Sequence, residues 1–272
     1  MPEKKIVLIT GVSSGIGQAT ARLLAQRGFT VFGTSRNPSS IETMSGVEVL
    51  PLDVCSDEAV EACLNTLLKK TGRLDILINN AGYVLRGAIE EPTLEESKAQ
   101  FETNLFAVVR MVKGVLPIMR RQGDGQIINI SSGMGVVPAP FAGYYSASKF
   151  ALEGYTEALR HEVKPFNVQV SLVEPGFIKT NVWHNVKEAV NRISDYDPWR
   201  QRVLKVRHQF EEKALEPTVV AEVILRIIES KSPRLRHTVG SEVARISWMR
   251  RFLPEAMFEK GVRRTLHLDI KK

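Results

Sequence analysis

The start of the chain does most to limit the fold. Residues 5–10 form an apolar run that ends in Gly11-Val12-Ser13-Ser14-Gly15-Ile16-Gly17. Behind it, Ile16, Ala19, Leu23 and Leu24 recur on one helical face. A strand, a glycine turn and a helix start in this order build an anion site. The missing side chains let a pyrophosphate approach the backbone, and the helix start offers free N–H groups and a partial positive charge. The spacing is G-x-x-x-G-x-G rather than G-x-G-x-x-G, so the general dinucleotide fingerprint fits only loosely.

The rest of the chain continues the alternation. Residues 29–34, 47–52, 74–78, 126–130, 168–173 and 235–240 read as strands, and residues 74–78 are as apolar as a parallel strand covered on both faces requires. Helical patterns lie between them. One is capped by Ser56 or Asp57 and runs to Lys70. One opens at the capping box Thr93-Leu94-Glu95-Glu96 and runs to Met119. One carries Tyr145 near its start and ends at about Lys164, and one covers residues 217–230. Strands alternating with helices predict an α/β fold, a doubly wound parallel sheet in one domain over residues 1–272. Its core is residues 5–240. Residues 177–216 form a long segment beside the strand ends, with Trp183, Tyr196, Trp199 and Phe210 among charges, and read as a lid.

Charge and cysteine usage narrow the setting. The net charge is +7, and residues 231–272 alone hold 11 Lys/Arg against 4 Asp/Glu. The basic tail 241–272 carries apolar residues at helical spacing (Val243, Ile246, Met249, Phe252, Leu253) broken by Pro254. It either packs on the domain or a second subunit, or rests on an anionic membrane surface with Trp248 and Phe252 inserted; Pro254 and the scattered glutamates favour packing. No nucleic-acid motif accompanies it, so nucleic acid is not an expected partner. Cys55 and Cys63 fall in one helical stretch and suggest neither a disulfide framework nor a metal site. The first apolar run is too short for a signal peptide and no spanning segment follows, so a cytoplasmic protein is expected.

Several residues carry chemistry. Tyr145 and Lys149 are four apart on a helix and share a face, about 5–6 Å apart at Cβ. An ammonium beside a phenol favours the phenolate, so Lys149 is expected to lower the Tyr145 pKa from about 10 and ready it for proton transfer with a carbinol oxygen. The same spacing also occurs on solvated helix faces; the glycine turn and Ser132 give the pair its weight. No acid follows the second strand to hold a ribose 2′-hydroxyl. Arg36 stands there instead and, with Ser13, suits a 2′-phosphate; the alternative is a solvated loop cation. Asp53, at a strand end, is either a turn cap or an acceptor for an adenine amine. Asn79-Asn80-Ala81-Gly82 is either a plain turn or a place where the backbone passes close to the cofactor. Asn104 is a poor helix former inside a helix, and is either a solvated polar position or a functional one.

Together these residues resemble the short-chain dehydrogenase/reductase (SDR) family over about residues 5–240. The resemblance rests on Thr10-Gly-Val-Ser-Ser-Gly-Ile-Gly17, Asn79-Asn-Ala-Gly82, Ser132 with Tyr145-x-x-x-Lys149, and Pro175-Gly176 with Thr180. It implies a seven-stranded Rossmann sheet and hydride transfer between NADP(H) and a carbonyl or secondary alcohol. In that reading Tyr145 exchanges the proton, Ser132 holds the substrate oxygen, and Lys149 tunes Tyr145 and binds the nicotinamide ribose. Asn104 holds a water in a proton relay to Lys149, and Thr180 holds the carboxamide. The cofactor site implied comprises Gly11, Ser13, Ser14, Gly15, Ile16 and Gly17, then Arg36, Asp53 and Val54, then Asn80, Ala81 and Gly82, then Tyr145 and Lys149, and last Pro175, Gly176, Ile178 and Thr180. Arg36 matches the arginine of NADP-preferring members, whereas the basic residue some carry inside the glycine motif is Ser14 here. The single arginine, aromatic lid and basic tail look most like the hydroxysteroid and retinol dehydrogenase-like branch. Val84, Leu85, Met134, Val136, Phe141, Tyr144, Trp183 and Trp199 are expected to line an apolar cleft for a steroid, retinoid or long-chain ketone. A homodimer or homotetramer is expected. NAD-dependent alcohol oxidation and a non-catalytic dinucleotide sensor or scaffold are the alternatives.

Overall fold

A computed structural model describes residues 4–180 and 186–268. Seven strands form one sheet: β1 (Ile6–Ile9), β2 (Thr30–Ser35), β3 (Val47–Pro51), β4 (Ile76–Asn79), β5 (Gly125–Ile130), β6 (Val168–Pro175) and β7 (Arg236–Val239). Their spatial order is β3-β2-β1-β4-β5-β6-β7, and every neighbouring pair is parallel. The winding therefore reverses between β1 and β4, and the carboxyl ends of those two strands flank the crevice where such sheets take ligands.

Side chains alternate across the sheet and each face buries a separate core. Leu8, Phe32, Leu77, Ile127 and Leu172 pack on one side against helices α2 (Asp57–Thr71), α4 (Ala107–Gln122) and α5 (Gly143–Val163). Val7, Ile9, Ile76, Ile128 and Val173 pack on the other against α1 (Gly15–Gln26) and α7 (Pro217–Glu229). Burial on both faces is why the inner strands β1 and β4 read as nearly continuous apolar runs.

Helix ends follow local chemistry. Ser56 caps α2 by accepting from Ala59 N at 3.1 Å, and Gly72 closes that helix in the left-handed region at φ 70°. The capping box Thr93/Glu96 starts α3 (Leu94–Phe101). Between α3 and α4 the chain makes one π-helical turn, Glu102–Phe106, with Ala107 N bonded to Glu102 O. That register shift has no sequence signature and was not expected.

The described part of the segment expected to form a lid, residues 177–180 and 186–216, carries regular structure. Lys187–Glu188 pairs in parallel with Leu85–Arg86, and α6 (Asp197–Glu212) follows. Glu91 anchors it: its carboxylate accepts from Ala88 N at 2.6 Å and from Ile193 N at 2.9 Å, and it pairs with Arg200, both side chains buried. Burial raises the Glu91 pKa, but its hydrogen bonds and Arg200 outweigh that and hold it below the usual range. The tail forms α8 (Ser241–Phe252) and α9 (Glu255–Thr265), with the corner at Pro254. Cys55 and Cys63 are free thiols, and burial pushes the Cys63 thiol up to about 11. Among the described residues no helix is long and apolar enough to cross a membrane.

Candidate active site

The glycine turn is locked by its neighbour strand. Thr10 Oγ1 accepts from the backbone N of Asn80 (2.9 Å) and Ala81 (3.0 Å), and Asn80 Nδ2 donates to the carbonyls of Thr10 (3.0 Å) and Gly11 (2.8 Å). Asn80 thus holds the turn from behind, a role its sequence position does not reveal. Gly11 and Gly15 take φ of +72° and +61°, the region that favours glycine. A Cβ on Gly17 would stand 2.2 Å from Gly11 O and 2.5 Å from Asn80 Nδ2, so no other residue fits. No side chain caps the N-terminus of α1 at Ser14, which leaves its N–H groups facing a cleft. The residues present therefore fit a bound pyrophosphate.

That cleft has a volume of about 1190 Å³ and reaches across the carboxyl ends of the strands. Gly11, Ser13, Ser14, Gly15 and Ile16 line it, as do Arg36, Asp53, Val54, Asn80, Ala81 and Gly82. Gly17 is buried behind the turn. Arg36 is exposed at the end of β2. Asp53 bonds Cys55 N at 3.0 Å, so it caps its own turn while facing the cleft. Pro175, Gly176, Ile178 and Thr180 close the opposite wall, and a Cβ on Gly15 would lie 3.1 Å from Thr180 Cβ. A Cβ on Gly176 would lie 2.3 Å from a carboxylate oxygen of Glu242, so glycine lets α8 approach the site.

Ser132, Tyr145 and Lys149 open on the same cleft. Burial raises the Tyr145 phenol above its usual range, and a hydrogen bond with Ser132 works the other way. Lys149 is buried, donates to Ile130 O at 2.8 Å, and sits 5.9 Å from the Tyr145 ring centroid. Burial lowers Lys149 to about 8, with Glu153 opposing. The expected depression of Tyr145 by Lys149 is therefore corrected: desolvation dominates both groups, and the ammonium is turned to a carbonyl.

Asn104 sits in the π turn, 1% exposed. Its Nδ2 donates to Tyr83 O (3.1 Å) and Ser148 Oγ (3.2 Å), and its Oδ1 accepts from Tyr83 N (3.2 Å). A Cβ on Gly82 would stand 3.1 Å from Asn104 Oδ1 and 3.9 Å from Lys149 Nζ, so the two side chains converge behind Gly82.

Sequence reasoning missed a buried charged group behind Lys149. Glu153, one turn on, receives Arg236 Nε at 2.9 Å, and Arg236 Nε also lies 3.5 Å from Glu174. Both carboxyls are raised by burial, Glu174 to about 7 with Glu153 adding to it. The i,i+4 spacing of Lys149 and Glu153 was the available signal.

Of the residues expected to form the apolar cleft, Val84, Met134 and Phe141 line it. Leu85, Val136, Tyr144 and Trp199 do not. Leu85 is buried in its short strand, Val137 takes the place of Val136, Tyr144 lies about 100° round the helix from Tyr145, and Trp199 lies under Arg202 at 4.6 Å. Trp183 lies outside the described residues. In their place α6, α8 and α9 contribute Val203, Phe210, Ile246, Met249, Phe258 and Val262.

Comparison with known proteins gives a consistent picture. The model of a family described as short chain dehydrogenase matches residues 5–191. A 3-ketodihydrosphingosine reductase of Bacteroides thetaiotaomicron is 41% identical over 264 residues, 96% of this chain and 97% of that protein. Retinol dehydrogenase 8 of Bos taurus is 39% identical, over 87% of this chain and 82% of that one. Among solved structures, a short-chain dehydrogenase from Streptomyces avermitilis superposes with a TM-score of 0.83 at 29% identity, covering 99% and 100% of the two chains. ElxO with NADP bound gives 0.74 at 26%, covering 89% and 100%.

Proposed function

The chain belongs to the short-chain dehydrogenase family and is an oxidoreductase acting on CH–OH groups, and we propose that it reduces a bulky hydrophobic ketone to a secondary alcohol with NADPH. One observation carries the reading: Tyr145, hydrogen-bonded with Ser132, and Lys149 open on the same cleft as the glycine turn. A phenol placed beside a hydroxyl donor can give its proton to a ketone oxygen that both groups hold.

The glycine turn and the N-terminus of α1 hold the pyrophosphate in this proposal, Arg36 and Ser13 the 2′-phosphate, and Asp53 and Val54 the adenine end. Asn80, Ala81, Gly82, Pro175, Gly176, Ile178 and Thr180 border the nicotinamide half, with Lys149 on its ribose. The bound cofactor supplies the hydride. Tyr145 gives its proton to the substrate oxygen while Ser132 donates a hydrogen bond to that oxygen. Lys149 returns the proton to Tyr145 and would itself be resupplied through a water held by Asn104 behind Gly82. NADP in the ElxO complex supports the cofactor choice, and Arg36 supports it from this chain.

The substrate reading rests on the apolar wall from α6, α8 and α9, with support from relatives named for a ketodihydrosphingosine and a retinol. The exposed Leu94 and Phe106 suit the homodimer or homotetramer expected. The test is a series of aliphatic ketones in detergent. Each added methylene, worth about 0.8 kcal/mol on burial, is expected to raise kcat/KM roughly fourfold until the wall is filled. A preference for small polar carbonyls sinks the reading.

A further inference from the structure

The two tail helices face two ways. Their inner residues, among them Ile246, Met249, Phe258 and Val262, line the substrate end of the cleft. On the outer face of α8, Trp248 and Phe252 are 60% and 61% exposed, four residues apart, with ring centroids 5.2 Å from each other. The Arg251 guanidinium lies 5.7 Å from the Phe252 ring. On α9, Met257, 60% exposed, Lys260 and Arg264 fall at i, i+3 and i+7, again one stripe.

The acids of this pair lie elsewhere. Glu242 turns toward Gly176 and Gly240. Glu255 and Glu259 occupy another flank of α9, and Glu259 pairs with Arg263 at 2.9 Å. Among the described residues Arg251, Lys260 and Arg264 form no ion pair, and large apolar side chains left in water among such cations on a helix surface match an interface between headgroups and acyl chains. Arg250 seats the pair on the body, stacked 5.7 Å from Phe150 and 5.9 Å from Phe258.

We propose that α8 and α9 dock on an anionic lipid bilayer through Trp248, Phe252 and Met257, and deliver a lipid ketone from that bilayer into the cleft their inner faces line. Charge complementarity selects an anionic bilayer over a neutral one. The same two helices forming both the outer face and the inner wall gives an apolar substrate a short path that avoids water. The delivery step rests on the hydrophobic-ketone reading; docking does not.

The experiment is sedimentation of the full chain with phosphatidylcholine vesicles, with and without phosphatidylglycerol. The wild type is expected to bind only the anionic vesicles and to release in high salt. Trp248→Glu/Phe252→Glu and, separately, Arg251→Glu/Arg264→Glu should each weaken binding by roughly tenfold or more. Both should retain wild-type turnover of a short water-soluble ketone, which shows that they fold. No binding to anionic vesicles, or equal binding by wild type and both variants, overturns the proposal. So does a wild-type oligomer that the aromatic variant dissociates, because a second copy of the chain then covers this face. The substrate reading fails separately, through the ketone series in detergent.

Discussion

Replacing Lys149 by methionine should abolish turnover and yet stabilise the protein. The Lys149 ammonium is buried, and burial lowers its pKa from an ordinary 10.5 to about 8. That difference corresponds to about 3 kcal/mol of penalty for keeping the folded protein charged at neutral pH. Methionine fills similar space without a charge. It also leaves Ile130 O without the donor now at 2.8 Å, which costs about 1 kcal/mol. A net gain of about 2 kcal/mol remains. The pH dependence separates this cause from better packing. The wild-type penalty is full below about pH 8, shrinks as Lys149 loses its proton in the folded state, and vanishes above the unfolded value near 10.5. Urea unfolding at neutral pH should place the Lys149→Met midpoint above wild type, and the gap should close near pH 10. A variant less stable at neutral pH, or a gain that persists unchanged to high pH, refutes the reasoning. An active-site lysine held against its own stability is a trade between stability and function.

Other consequences follow from the same geometry. Glu174 is pushed up from 4.5 to about 7 in the fold, so its penalty is absent below about pH 4.5, grows between about 4.5 and 7 and is full above that. Glu174→Gln should therefore raise stability by about 1–2 kcal/mol at mildly alkaline pH and by nothing near pH ~4, measured by urea unfolding. Arg36→Ala should weaken NADPH binding by roughly tenfold or more and leave NADH binding nearly unchanged, read by cofactor fluorescence titration; equal loss for both cofactors contradicts the 2′-phosphate role. Glu91→Ala removes the anchor that holds Ile193 and Arg200. It should increase hydrogen exchange across residues 186–200 and raise KM more than it lowers kcat.

Much of this molecule was legible in its sequence because its sheet is buried on both faces. The seven expected strands are all present, with shifts of one or two residues at the ends. The strand expected from residue 74 begins at Ile76, since the Asp75 carboxylate accepts Ile6 N at 2.7 Å and ties the strand entry to β1. The glycine turn was legible for the same reason: positions that need φ above zero, or cannot hold a Cβ, leave glycine behind. What escaped depended on distant pairing. Arg236 reaches Glu153 across 83 positions, and Arg200 reaches Glu91 across 109. Nothing local marks either pair. The π turn at Asn104 is a hydrogen-bond register, which residue types do not encode. Trp199 was expected in the cleft; it shares a helix face with Val203 and Phe210 but lies in the first turn of α6 under Arg202, and the two residues further along reach the cleft instead. The tail was legible as amphipathic, while its inner contribution to the cleft needed the packing of α8 beside Gly176.

The central claim is that Tyr145 is the acid of an NADPH-dependent carbonyl reduction. The most direct measurement follows NADPH consumption by wild type and Tyr145→Phe with a long-chain ketone, beside NADPH binding by both. The account predicts turnover by the wild type, loss of at least about a thousandfold in kcat for the variant, and NADPH binding within a few-fold of wild type. Turnover retained by Tyr145→Phe with NADPH bound contradicts it.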